Sequence, residues 1–127
     1  MKELIRTDKA PTADGPYSQG CKAGDYIFVS GQGPLDPETG KVKGDTIQEQ
    51  TNQTLENIKA ILEANGASMD DVVKVTVVLT DLTNFKQMNE VYKTFFPEPF
   101  PSRICYGAQL ALPRMLVEID AIAYVGE

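Results

Sequence analysis

The chain contains no histidine. Without an imidazole it cannot build Ser-His-Asp or Cys-His nucleophilic catalysis, and the commonest metal ligand is missing. Any chemistry falls to carboxylates, Arg, Tyr, Cys, hydroxyls, backbone groups or water, and no zinc site is expected. Cysteine is scarce as well: Cys21 and Cys105 stand alone, in no metal or redox spacing, and both are expected to be reduced. No apolar run nears the roughly 18 residues that a membrane helix needs, so no membrane partner is expected. The N-terminal stretch MKELIRTDKAPTADG mixes charges of both signs and lacks an apolar h-region. It does not read as a signal peptide, which leaves the cytoplasm as the expected compartment. Basic residues run short, 12 Lys and Arg against 18 Asp and Glu, for a net charge of −6. Binding to a phosphate backbone is driven by cationic side chains, and no Lys/Arg cluster is visible, so no nucleic-acid partner is expected. Repeats and linkers are also missing, and 127 residues are expected to form one domain, 1–127, with a core of its own.

What is present is a clean succession of periodicities. Residues 26–30, Tyr-Ile-Phe-Val-Ser, are aromatic and β-branched and read as a strand running into Gly31-Gln32-Gly33-Pro34. Asp36-Pro37-Glu38-Thr39-Gly40 reads as a tight turn, and residues 41–43 as a short edge strand. From about 46 to 65 the spacing becomes helical. Ile47, Thr51, Thr54, Leu55, Ile58, Ile61 and Leu62 lie on one side, with Asp45 or Thr46 as N-cap and Asn65-Gly66 as a left-handed stop. Residues 72–80 form the strongest strand, with Val73, Val75, Val77 and Leu79 predicted as its core face. A second helix is predicted over 82–96, with Phe85, Met88, Val91, Tyr92 and Phe95 along one stripe, until Pro97, Pro99 and Pro101 forbid its continuation. Strands follow at 103–108 and 115–125. The order implies an α+β layout, two helices on one face of a mixed sheet; the other face must be polar or buried by oligomerisation.

Four places can carry chemistry. Gly15-Pro16-Tyr17-Ser18-Gln19-Gly20 is a rigid loop with a phenol, though composition alone makes it a turn with an anchoring aromatic. Ser30 and Gly31 sit where a strand meets a glycine-rich turn; they can hold a carboxylate or water, or can simply serve the turn's geometry. Arg103 opens a strand after a proline-rich connector and can present its fork to a carboxylate, or form a surface ion pair. Glu118, amid aliphatic strand residues, either faces solvent or is partly desolvated, which raises its pKa toward neutrality. Asp120 shares its face by the two-residue period.

Taken together, GPYSQG, FVSGQGPLDPETG, NEVYKTFF, PSRICYG and LVEIDAIA, in that order across residues 3–125, resemble the reactive intermediate deaminase (RidA/YjgF) family. The resemblance implies a chorismate-mutase-like α+β fold, a homotrimer, and active sites in the clefts between subunits. It further implies cofactor-free hydrolysis of small 2-imino and enamine acids, such as 2-aminoacrylate (2-iminopropanoate) and 2-iminobutanoate, to 2-keto acids and ammonia. By the same resemblance Arg103 grips the substrate carboxylate and Glu118 activates water. Cys105 contacts substrate through its backbone, while Tyr17, Ser30, Gly31 and Asn89 line the pocket. Asp14, Cys21 and the Ala111-Leu112-Pro113-Arg114-Met115 connector depart from the family pattern at sites that bear on substrate preference. The leading alternative is a non-catalytic trimer that captures small carboxylates, in which Arg103 would serve equally and only Glu118 as base would differ. RNA cleavage is opposed by the acidic balance, and a redox-triggered holdase finds no specific support.

Overall fold

Thr46 opens the long helix because its hydroxyl accepts from the Glu49 amide while the Glu49 carboxylate accepts from the Thr46 amide, which satisfies two otherwise orphaned donors. From there α1 (Ile47–Glu63) buries Leu55, Ile58, Ile61 and Leu62 completely and ends before Gly66, whose φ of +75° gives the left-handed stop. The computed structural model describes residues 1–126. Its elements are β1 (Glu3–Ile5), β2 (Gly20–Ala23), β3 (Tyr26–Gln32), α1, β4 (Val72–Leu79), α2 (Phe85–Tyr92), β5 (Ser102–Gly107) and β6 (Val117–Tyr124). The strands form one sheet in the order β1-β2-β3-β6-β4-β5, parallel only between β4 and β5. The mixed α+β layout read from the sequence is the one observed. Both helices pack on one face, where Ile27, Val29, Val75, Val77, Leu79, Val117, Ile119, Ala121 and Ala123 meet them. No helix among the described residues is long and apolar enough to cross a membrane.

The differences from the sequence reading have local causes. Strands β1 and β2 were not foreseen: three and four residues are too short to show a period. The connection between them is held by Gln19, a buried member of the GPYSQG loop. Its Nε2 faces the carbonyls of Thr7, Ala10 and Pro11 at 3.0, 3.2 and 2.7 Å, and its Oε1 accepts from the Thr7 amide at 2.8 Å. The predicted 41–43 edge strand shrinks to a single bridge, Leu35 to Val42, beside the Asp36–Gly40 turn. In β4 the register against β6 shifts between Val72 and Lys74. That irregularity turns Val73 outward, 44% exposed, and puts Val72 into the core in its place. The second helix proper is only Phe85–Tyr92, preceded by a 3-10 turn at Leu82–Asn84; Met88, Tyr92 and Phe96 fill the core, whereas Phe85 stays exposed.

The face of the sheet turned away from the helices carries exposed aromatic and aliphatic side chains beside the carboxylates of Glu118 and Asp120. Tyr26, Phe28, Ile104, Tyr106 and Tyr124 each keep more than a third of their surface exposed, with Ile104 at 50%.

Candidate active site

Arg103 is positioned by strand register. Along the parallel pair, Val75 stands beside Arg103 and Val77 beside Cys105, so both side chains point to the helix side of the sheet's edge strand. There α2 presents Phe85, Asn89 and Tyr92, residues i, i+4 and i+7 and therefore one helix face. Arg103 Nη1 donates to Asn89 Oδ1 at 2.8 Å. Its guanidinium carbon lies 4.7 Å from the centre of the Tyr92 ring and 5.6 Å from that of Phe85, within cation–π range. Tyr92 is buried and its hydroxyl has no hydrogen-bond partner. Burial pushes that phenol up, against the opposing charge of Arg103. Burial likewise raises the Cys105 thiol, again opposed by the charge of Arg103, which keeps it protonated near neutrality and poorly suited to act as a nucleophile. A cavity of about 510 Å³ opens beside the guanidinium, lined by Asn89, Tyr92, Lys93, Phe100, Pro101 and Arg103.

Glu118 is positioned by alternation. Val117, Ile119, Ala121 and Ala123 are buried toward the helices, so Glu118 points to the open face. Burial raises its pKa above the ordinary carboxylate value, and the charge of Asp120 adds to the rise. The carboxylate lies over Gly31, where a Cβ would stand 2.5 Å from Glu118 Oε2. β3 makes this approach through a bulge: Val29 pairs with Ala121 and Gln32 with Ile119, so Ser30 and Gly31 together oppose the single Asp120. Ser30 Oγ donates to the Ser18 carbonyl at 2.6 Å and its amide to the Gln19 carbonyl at 3.0 Å. These bonds tie down the loop that carries Tyr17, which is itself 53% exposed.

The structure thus sorts the sequence candidates into two groups. Arg103, Asn89 and Cys105 lie on the helix side of the edge strand. Ser30, Gly31 and Glu118 lie on or against the open face, beside the Tyr17 loop. A single protomer does not bring Arg103 and Glu118 to one reacting atom.

The model of the family described as endoribonuclease L-PSP matches residues 7–125. TdcF of Escherichia coli, named as a reactive intermediate deaminase, is 45% identical over 126 residues, covering 97% of this chain and 97% of its own length. The chain belongs to the reactive intermediate deaminase family. A RutC family protein of Pyrococcus abyssi is 56% identical over 124 residues, 97% of each chain. TdcF of Escherichia coli, solved with bound serine, superposes with a TM-score of 0.90 at 43% identity, covering 96% of this chain and 98% of that one.

For this member of the reactive intermediate deaminase family, the sequence reading passed over two residues at the arginine. Phe85 and Tyr92 were read only as members of a helix stripe, yet both rings stand against Arg103, Tyr92 while also part of the core. Their spacing with Asn89 was the available signal. It pointed to a common target for the three side chains, but only the β4–β5 register shows that the target is a guanidinium.

Proposed function

We propose that the chain hydrolyses small 2-imino acids, 2-iminopropanoate and 2-iminobutanoate among them, to 2-keto acids and ammonia without a cofactor, in sites completed by a neighbouring copy. The observation that carries this reading is an arginine held at a cavity wall by an amide and two rings, with no carboxylate paired to it among the described residues. Glu118 supplies the complementary group, a carboxylate whose proton affinity is raised toward the working pH.

The reaction needs little more. The protonated imine carbon is already electrophilic, so no covalent nucleophile is required. Arg103 fixes the substrate carboxylate. A water gives one proton to Glu118 as its oxygen bonds to C2, and the C=N π pair moves to nitrogen. Glu118 returns that proton to the nitrogen of the carbinolamine. The C–N bond then breaks, ammonia leaves, and loss of the hydroxyl proton completes the C=O bond. A positioned general base contributes about 10²–10⁴-fold, enough for a substrate that also hydrolyses spontaneously.

Assembly follows from the separation of the two groups. β5 is the edge of the sheet, and the exposed aromatic and aliphatic side chains of the open face invite burial. A homotrimer in which one copy's Glu118 face meets the next copy's Arg103 edge satisfies both. A second reading, non-catalytic capture of small carboxylates, is favoured by the serine bound to TdcF, an amino acid whose carboxylate that arginine would also grip. The family description names an endoribonuclease, yet a net charge of −6 gives this chain little of the cationic surface that backbone binding draws on.

The test is to generate 2-iminobutanoate with an amino-acid oxidase and trap the surviving imine with semicarbazide. Wild type is expected to deplete the imine, and Arg103→Ala and Glu118→Ala to leave it. Imine decay at the buffer rate in the presence of folded wild type would replace the deaminase by the capture reading.

A further inference from the structure

We infer that the Phe85–Asn89–Tyr92 face of α2 is a dedicated cradle for the Arg103 guanidinium, and that Tyr92 is the positioning residue which sets how tightly that arginine binds a carboxylate. The inference rests on the carboxylate role proposed above for Arg103.

The geometry is specific. Asn89 Oδ1 takes one guanidinium N–H at 2.8 Å, which fixes one end of the fork. Tyr92 lies under the guanidinium carbon at 4.7 Å and Phe85 flanks it at 5.6 Å. The two rings differ in setting: Tyr92 is 5% exposed and Phe85 40%. Tyr92 is therefore the fixed floor, and Phe85 the outer wall that keeps water from the charge. Tyr92 is in turn locked by Phe96, whose ring centroid is 4.6 Å from its own. A guanidinium stacked on an aromatic floor loses fewer rotamers on binding and is less well hydrated than a free one. Arg103 itself lines the cavity, where Phe100 and Pro101 form the apolar side.

The Tyr92 hydroxyl adds a further point. It is buried and makes no hydrogen bond of ordinary geometry, although the Arg103 guanidinium beside it opposes the upward push of burial on its pKa, so the ring carries most of the positioning. Loss of the hydroxyl should leave Arg103 undisturbed, whereas loss of the ring should not.

The experiment measures the binding of 2-oxobutanoate, a keto acid of the product class, by calorimetry, beside KM and kcat for 2-iminobutanoate. Binding requires no turnover, so it reads the cradle even if the chain proves not to be a deaminase. For Tyr92→Phe, Kd and KM are expected within about two-fold of wild type, with Tm unchanged or higher. For Tyr92→Leu, Kd and KM are expected to rise together by about three- to ten-fold, with kcat within about two-fold. The neutral analogue 2-oxobutanamide should show no such loss. Phe85→Leu, at an exposed position where folding is not at stake, is expected to raise Kd about two-fold. Three results would overturn the inference: equal losses in the Phe and Leu variants of Tyr92, a fall in kcat with Kd intact, or a rise in Kd on Lys93→Gln but not on Tyr92→Leu. The last would make Lys93, the other cation on the cavity wall, the true partner of the carboxylate.

Discussion

Glu118 occupies the space that a side chain at Gly31 would fill: a Cβ there would come within 2.5 Å of Glu118 Oε2. The φ of Gly31 is not positive, so a replacement meets no backbone strain, only this contact. The atom in the way is the far end of a rotatable side chain. Gly31→Ala is therefore expected to fold with a Tm within a few degrees of wild type while moving the carboxylate. Misplacement of a reacting group by about 1 Å can cost on the order of 10²-fold in rate, and imine turnover should fall by that order. Parallel melts and imine-trapping assays check this; full activity in a folded Gly31→Ala would mean that Glu118 is not held where the reaction needs it.

The raised pKa of Glu118 makes a stability claim with a definite sign. The folded chain binds this proton more tightly than the unfolded chain does, because burial and Asp120 penalise the charged form. Its favourable contribution is complete below the ordinary carboxylate pKa and is lost as pH rises through the folded-state value. Glu118→Gln, which cannot ionise, is expected to melt at or above wild type near pH 7.5 and level with it near pH 4. Because the group is half exposed, the gap should stay below about 1 kcal/mol. Turnover should drop by about 10²–10⁴-fold. A Gln variant less stable than wild type at neutral pH and equal to it in acid would reverse the assignment.

Gln50 holds together segments distant in sequence. Fully buried on α1, its Nε2 donates to the carbonyls of Gly44 and Arg114 at 3.1 and 2.8 Å, and its Oε1 accepts from the Leu116 amide at 2.7 Å. Gln50→Leu keeps the volume but strands these backbone groups, at a cost of about 3 kcal/mol. Thermal unfolding should register a fall of roughly 10 °C.

Ile104, on the open face of β5, is half exposed in the single chain. Ile104→Asp is expected to leave the far-UV circular dichroism of the chain unchanged while converting a species of three times the chain mass to the monomer in sedimentation. Imine turnover should be lost with it. Wild type sedimenting as a monomer with full activity would end the proposal of sites shared between copies.

Much of the fold was legible because it rests on long periodic segments. The α1 cap within Asp45–Thr46, its stop before Gly66 and the turn at Asp36–Gly40 all follow from local rules. The pairing of β1 with β2 did not, since strands of three and four residues show no period and Gln19 ties down their connection only through bonds to residues 7–11. Nor did the exchange of Val73 for Val72, since a register shift is a property of two strands and not of one.

The sequence by itself determined the α+β order and the reactive intermediate deaminase family, and it singled out Arg103 and Glu118 as candidates. Those properties live in residue types and their spacing along one chain. Only the tertiary structure decided that the two stand on opposite faces of one sheet, that Gly31 makes room for the carboxylate, and that Tyr92 underlies the guanidinium. The physical reason is the same in each case: side-chain direction in a sheet is set by pairing between strands, and pairing is not written in any single segment.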